Sequence, residues 1–129
     1  MSDRDLAKVA LGALHIAGCQ PRDKVSPHFR LYELTRSDIA SRQGIPNVFP
    51  SDAELRAAVH LAREVLEPVR TKFGSFSPNS VFRSQALERA LKRKPSSWVS
   101  SSQHARGEAC DIEIVGVATI ALAEWVAAH

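Results

Sequence analysis

The chain has 129 residues, of which 44% are hydrophobic and 24% charged, and this is typical of one compact domain with a single core. Few aromatic residues, seven Pro and six Gly exclude a collagen-like or low-complexity chain, and the apolar content excludes a disordered one. The formal charge of +3 comes from interspersed acidic and basic side chains, so attraction to anions is modest and compatible with an anionic cell wall.

The first third of the chain predicts two helices and a connection. Apolar residues recur at three- and four-residue spacing over 6–17, which is typical of an amphipathic helix. Residues 21–27 are a polar connection. Thr35 and Ser37 are candidate N-caps of a short helix that Gly44 closes.

The strongest helix pattern follows that short helix. Ser51 and Glu54 match a capping box, and an apolar stripe continues over 55–69 before Gly74. Pro68 lacks a backbone N–H, so we expect a kink or a restarted turn around the preceding residue.

The remaining predicted elements are short. They are a strand over 80–83, a helix capped by Ser84 through Leu91, a serine-rich loop over 95–103, a strand over 111–115 and a final helix over 119–128.

Several classes of site are not indicated. Cys19 and Cys110 lie far apart without a Cys-x-x-Cys pair, so neither a disulfide framework nor a cysteine zinc site is predicted, and Cys110 is expected to pack as a buried thiol. The basic run over 92–94 has no interleaved aromatic residues, and we predict no nucleic-acid partner. No apolar run has the length of a membrane span or signal sequence, so we predict no membrane partner and cytoplasmic synthesis without an export signal.

A histidine and an aspartate near the C-terminal end form the most informative pattern. His104 and Asp111 are separated by Gly107, which permits a tight turn, and by Ala109, which leaves room beside a metal. Zinc binds imidazole nitrogen and carboxylate oxygen at about 2.0–2.2 Å, so the two groups would converge on one point. Taken alone, the pair is also typical of a capping or surface contact.

The full pattern is more specific than the pair. Ser-x-His-x-x-Gly-x-Ala-x-Asp resembles the metal motif of the zinc D-Ala-D-Ala carboxypeptidase and L-alanyl-D-glutamate endopeptidase family, and here it comprises Ser102, His104, Gly107, Ala109 and Asp111. Residues 26–37 are similar to the opening of the phage and prophage branch, and residues 65–70 to the end of its core helix. The likeness covers about residues 26–128.

The resemblance implies a fold and a function. We expect an α+β domain with a small antiparallel sheet flanked by helices, the D-Ala-D-Ala carboxypeptidase (hedgehog-like) fold, over 26–129, preceded by a helix and connection over 1–25. Zinc is the implied cofactor, and the implied reaction is cleavage of an amide in the peptidoglycan stem peptide. The protein would act at the cell wall, or in a virion with phage virion proteins as partners.

The resemblance also suggests substrate-binding residues. Arg83 stands where the family binds a substrate carboxylate, although by itself it is also typical of a surface salt bridge. Ser102 of the motif is a second candidate. Gln85 and Glu88 replace a Pro and an Asn of the family pattern, which alters the local substrate geometry.

The third zinc ligand and the acidic residue that would act as general base are not evident. In the family, an acidic residue and a Trp-Val-His strand follow the last helix, and we expect this chain, which stops at His129, to lack that strand. His129 is a candidate third ligand and Glu124 a candidate base, but the spacing places both on the last helix.

Three hypotheses therefore stand. The chain is a zinc peptidase completed by His129, by His28 or by a partner chain; it is a degenerate copy of the fold serving as a phage virion structural or wall-binding component; or it is a piece of a longer enzyme.

Overall fold

Helices dominate the protein. The computed structural model describes residues 20–128, and the helix predicted over 6–17 lies outside them. The α-helices are α1 (Leu31–Thr35), α2 (Asp38–Gln43), α3 (Asp52–Leu61), α4 (Glu67–Phe73), α5 (Gln85–Lys92) and α6 (Thr119–Ala128), joined by a π turn (Ala62–Leu66) and a 3₁₀ turn (Gln103–Arg106). Among the described residues, no helix is long and apolar enough to cross a membrane.

The π turn joins α3 to α4 in one rod whose buried side follows the predicted stripe. The amide of Glu67 donates to the carbonyl of Ala62, five residues earlier. Such a widened turn accommodates Pro68, which has no N–H to donate and whose ring would clash with the preceding turn. The irregularity predicted around Glu67 is confirmed. The buried residues of the rod are Leu55, Ala58, Val59, Ala62, Leu66 and Val69.

The predicted caps at Ser37 and Ser84 are confirmed, and the helix after Ser51 begins where predicted but without its capping box. Ser37 caps α2 by accepting a backbone N–H at 3.2 Å, and Gly44 ends that helix with φ 66°. Ser84 caps α5 in the same way, at 3.1 Å. Ser51 and Glu54 do not form the predicted capping box, because the Ser51 hydroxyl bonds the Glu54 carboxylate instead of the helix backbone.

The β component is small. Ser80 and Asp111 form an antiparallel bridge, in which the Asn79 and Asp111 amides donate to the Asp111 and Ser80 carbonyls, both at 2.8 Å. The pairing is shorter than predicted because the chain then turns to other partners, with the Arg83 amide donating to the His104 carbonyl at 3.1 Å. The architecture is α+β, with a short antiparallel pairing flanked by helices.

Two groups of apolar side chains form the core around the rod. The larger lies on its α3 side and the smaller, around Val69, joins α4 to α6. Trp125 of α6 meets Phe73 edge to face, with ring centroids 5.6 Å apart. The buried members of the larger group are Val25, Phe29, Leu34, Phe49, Leu55, Ala58, Val59, Ala62, Leu66, Val81 and Phe82.

Asn47 fastens the segment that leads into α5. Its side-chain amide donates to the carbonyls of Thr35 at 2.7 Å and Phe82 at 3.0 Å, and its side-chain oxygen accepts the Ser84 amide at 2.6 Å. One side chain therefore joins the end of α1 to the residues on both sides of Arg83. No sequence pattern indicated this residue.

Gly107 lies against the backbone of α3. It has φ 72°, and a Cβ at this position would lie 2.5 Å from the carbonyl oxygen of Glu54 and 3.2 Å from the amide nitrogen of Ala58. The glycine predicted for its turn is thus also required for close approach of the 3₁₀ turn to the rod.

Replacing Gly107 with Ala should lower the free energy of unfolding by about 2–4 kcal/mol, because a left-handed backbone strain adds to a clash with fixed backbone atoms. Urea denaturation measures the change. Gly44→Ala is the matched control, since Gly44 has φ 66° with nothing within 4 Å, and it should cost about 1 kcal/mol. Equal losses in the two variants would contradict this account.

Replacing Asn47 with Ala should lower the free energy of unfolding by about 1.5–3 kcal/mol, because three backbone groups of two segments lose their partner together. The same denaturation experiment tests this. Asn79→Ala, at an exposed asparagine, should change stability by less than about 0.5 kcal/mol. An Asn47→Ala variant as stable as Asn79→Ala would show that the hydrogen bonds of Asn47 contribute little to stability.

Candidate functional site

Two hydrogen bonds hold His104, one through its backbone and one through its ring. Its amide donates to the Ser102 hydroxyl at 3.2 Å, which starts the 3₁₀ turn, and its ring Nδ1 lies 2.7 Å from the carbonyl oxygen of Val81. A carbonyl oxygen can only accept, so Nδ1 carries a proton, and in the neutral imidazole Nε2 is then the nitrogen with the free lone pair. Metal-bound histidines are commonly oriented by such a bond to a backbone carbonyl.

Asp111 lies opposite that free nitrogen. Its Oδ2 is 3.5 Å from Nε2 of His104, with the imidazole only 14% exposed and the carboxylate 55% exposed. Asp111 is placed there by its antiparallel bridge to Ser80, which belongs to a remote segment of the chain. The structure thus brings the motif's imidazole and carboxylate together at the surface.

Their spacing fits a shared divalent ion. Two ligands that each lie about 2.0–2.2 Å from a tetrahedral zinc are about 3.3–3.6 Å apart, and the observed separation is 3.5 Å. Within residues 20–128, no group of three or more His, Cys, Asp or Glu side chains could hold a metal. The described residues therefore supply two fitting donors.

Arg83 contacts the same carboxylate oxygen. Its Nη2 donates to Oδ2 of Asp111 at 3.0 Å, and its Nε donates to the Ser80 hydroxyl at 3.1 Å. The guanidinium is 22% exposed, so it borders the site while most of it is covered by protein. The salt bridge expected of an isolated arginine is present, and its partner is the proposed ligand.

Glu88, on α5, is a member of this cluster that sequence reasoning did not assign. Its side chain is fully buried, with Oε1 2.8 Å from the Ser100 hydroxyl and Oε2 3.7 Å from Nη1 of Arg83. Burial by itself raises the pKa of Glu88, but the hydroxyls of Ser100 and Ser102 and the charge of Lys92 outweigh it and hold the pKa below its ordinary value. The carboxylate is therefore charged at neutral pH.

The two departures from the family pattern both hold the loop before His104. Gln85 accepts the Ser100 amide at 2.7 Å and donates to its carbonyl at 3.1 Å, while Glu88 accepts its hydroxyl. The Ser100 hydroxyl in turn accepts the Ser102 amide at 3.1 Å. These replacements thus support the segment that leads to the imidazole.

A sequence signal for Glu88 existed. It follows Leu87 directly and lies three residues before Leu91, so it is on the apolar side of its helix. A carboxylate there is almost never buried without a charged partner, and this indicates a nearby cation.

The other proposed residues lie apart from the pair or outside the described chain. His28 is bound to Glu67, with Nδ1 2.7 Å from Oε1, so it does not complete the site as hypothesised. Glu124 is exposed on α6 and joins no group of metal-binding side chains among the described residues. His129 lies outside the described residues.

Cys110 lies beside Asp111 and packs against the larger core group, but it is only partly buried rather than buried as predicted. Burial, and then the charge of Asp111, raises the pKa of its thiol to about 11. The thiol is therefore protonated at neutral pH in the metal-free protein and is not a ready nucleophile.

Comparison with known proteins identifies a family for the chain. The family model for peptidase M15 matches residues 27–129, whereas none of the curated proteins and none of the solved structures compared with the chain matches it. M15 peptidases are generally zinc-dependent. Because the matched region includes most of the chain and both donors, the chain belongs to the peptidase M15 family.

Proposed function

We propose that the protein is a zinc-dependent peptidase that cleaves an amide bond in the peptidoglycan stem peptide at the cell wall. The observation that carries the proposal is the 3.5 Å separation between Nε2 of His104 and Oδ2 of Asp111, with the imidazole tautomer set by Val81. Membership of the M15 family supports the reaction class.

His104 and Asp111 would hold the zinc. Zinc bound at such a site activates a water molecule at neutral pH and polarises the substrate carbonyl. The chain's own contribution is to orient the two donors. The Val81 carbonyl keeps Nδ1 of His104 protonated, and the bridge to Ser80 holds the Asp111 carboxylate opposite Nε2. Fixed donors lose little freedom when they bind an ion.

Arg83 would bind a carboxylate of the substrate. Its planar guanidinium lies at the edge of the site, 3.0 Å from Asp111, with part of its surface open to solvent. A guanidinium can bind a carboxylate through two parallel hydrogen bonds, which positions the neighbouring amide as well as supplying attraction.

A third ligand would come from outside the described residues or from another chain, and the site also needs a base. His129 remains the candidate ligand within this sequence, and Glu124 the candidate base. Ser102 caps the 3₁₀ turn through its hydroxyl, and its predicted contact with substrate would use the same oxygen.

The wild-type protein should contain about one zinc per chain, and His104→Ala should lose both the zinc and the cleavage of muropeptides, because one of few protein ligands is removed. Metal analysis of the purified protein and chromatography of muropeptide digests measure the two effects. His60→Ala is the matched control, since His60 is exposed on α3, and it should retain both.

Wild-type protein that takes up no zinc and cleaves no muropeptide would contradict the proposal. Stable association with phage virion proteins or with cell wall in that case would fit the non-catalytic copy of the fold instead.

Arg83→Lys should raise KM about tenfold for stem peptides with a free carboxylate at the bound end, because an ammonium cannot form two parallel bonds. Steady-state kinetics with the free acid and with the matching carboxamide test this. The carboxamide should show little change between wild type and variant, and an equal change for both substrates would exclude a carboxylate contact.

A further inference from the structure

Glu88 has a buried oxygen without a hydrogen-bond partner, and this oxygen faces the site. Oε1 is bound by the Ser100 hydroxyl at 2.8 Å and approached by the Lys92 ammonium at 3.4 Å. Oε2 is buried with no hydrogen bond, and Nη1 of Arg83 lies 3.7 Å from it. Lys92 and Arg83 offset the charge of Glu88, but a buried oxygen without a hydrogen bond is still costly, so Oε2 is an acceptor open to a further donor.

Arg83 lies between two carboxylates. Nη2 is bonded to the exposed Asp111 at 3.0 Å, while Nη1 lies just beyond bonding distance of the buried Glu88 at 3.7 Å. A shift of less than about 1 Å would bring Nη1 into the range of a charge-assisted hydrogen bond. The guanidinium therefore has a second acceptor within reach.

A divalent ion at Asp111 would disturb the first of these contacts. Oδ2 of Asp111 already lies near both Arg83 and Nε2 of His104, so an ion bound there would be close to the guanidinium charge. Two cations at such a distance repel each other strongly where water is partly excluded. A compensating anion on the far side of the guanidinium would offset that repulsion.

We propose that Glu88 is a positioning residue that holds Arg83 away from Asp111 when zinc is bound, so that the arginine does not compete with the metal for its ligand. The inference rests on the proposed function. It assigns the unpartnered Oε2 as the acceptor that Arg83 uses in the zinc-bound protein.

Zinc affinity of the metal-free protein tests this directly. Titration calorimetry with zinc alone should show binding to Glu88→Gln that is about 10–100-fold weaker than to wild type, as for other residues that orient a metal ligand. Adding Arg83→Gln to Glu88→Gln removes the competing cation. The double variant should return to within about threefold of Arg83→Gln alone.

Lys92→Gln is the matched control, because Lys92 contacts Oε1 of the same carboxylate but not Arg83. It should bind zinc within about threefold of wild type. Arg83→Gln by itself should bind zinc at least as tightly as wild type. This variant tests the proposal even if circular dichroism shows that Glu88→Gln does not fold.

Two results would overturn the role of Glu88 and leave the proposed peptidase function standing. They are equal zinc affinity of folded Glu88→Gln and wild type, and a loss of tenfold or more in Arg83→Gln. An absence of zinc uptake by the wild-type protein is a different result, because it overturns the proposed peptidase function and this inference together.

Discussion

The hydrogen bond between Nδ1 of His104 and the carbonyl of Val81 is the contact on which the site depends. It is 2.7 Å long, and because a carbonyl cannot donate, it places a proton on Nδ1 and directs Nε2 toward Asp111. Val81 is buried and its neighbour Phe82 is tied to the end of α1, so the acceptor is as fixed as the core. The tautomer of a partly exposed histidine is thus set by buried backbone.

The charges around that histidine alternate in sign. Lys92 approaches Glu88, Glu88 faces Arg83, Arg83 bonds Asp111, and Asp111 lies opposite His104. Charged side chains that are partly or fully buried need such neighbours, since the desolvation of an isolated ion is costly. Arg83 lies near both the buried carboxylate of Glu88 on α5 and the exposed carboxylate of Asp111. A change at either carboxylate therefore alters the surroundings of the other.

Departures from the sequence-based expectations share one physical origin. The paired segments are shorter than the alternating patterns predicted, because the backbone beyond Ser80 bonds α1 and the 3₁₀ turn instead of a neighbouring strand. Ser51 and Glu54 satisfy each other rather than the helix backbone. In each case a polar group had more than one possible partner, and distance along the chain does not decide between them.

The sequence by itself determined the local elements and the motif. Helix caps at Ser37 and Ser84 and the irregular turn before Pro68 follow from residue type and spacing, because they depend on neighbours along the chain. The motif identified His104 and Asp111 as candidate ligands, but it is the bridge between Asp111 and Ser80 that brings the two side chains together. Only the tertiary structure decided which distant groups serve the site. Contacts between remote segments are made by the Val81 carbonyl, the Asn47 side chain and the Glu88 carboxylate. Such contacts exist only once the core has packed.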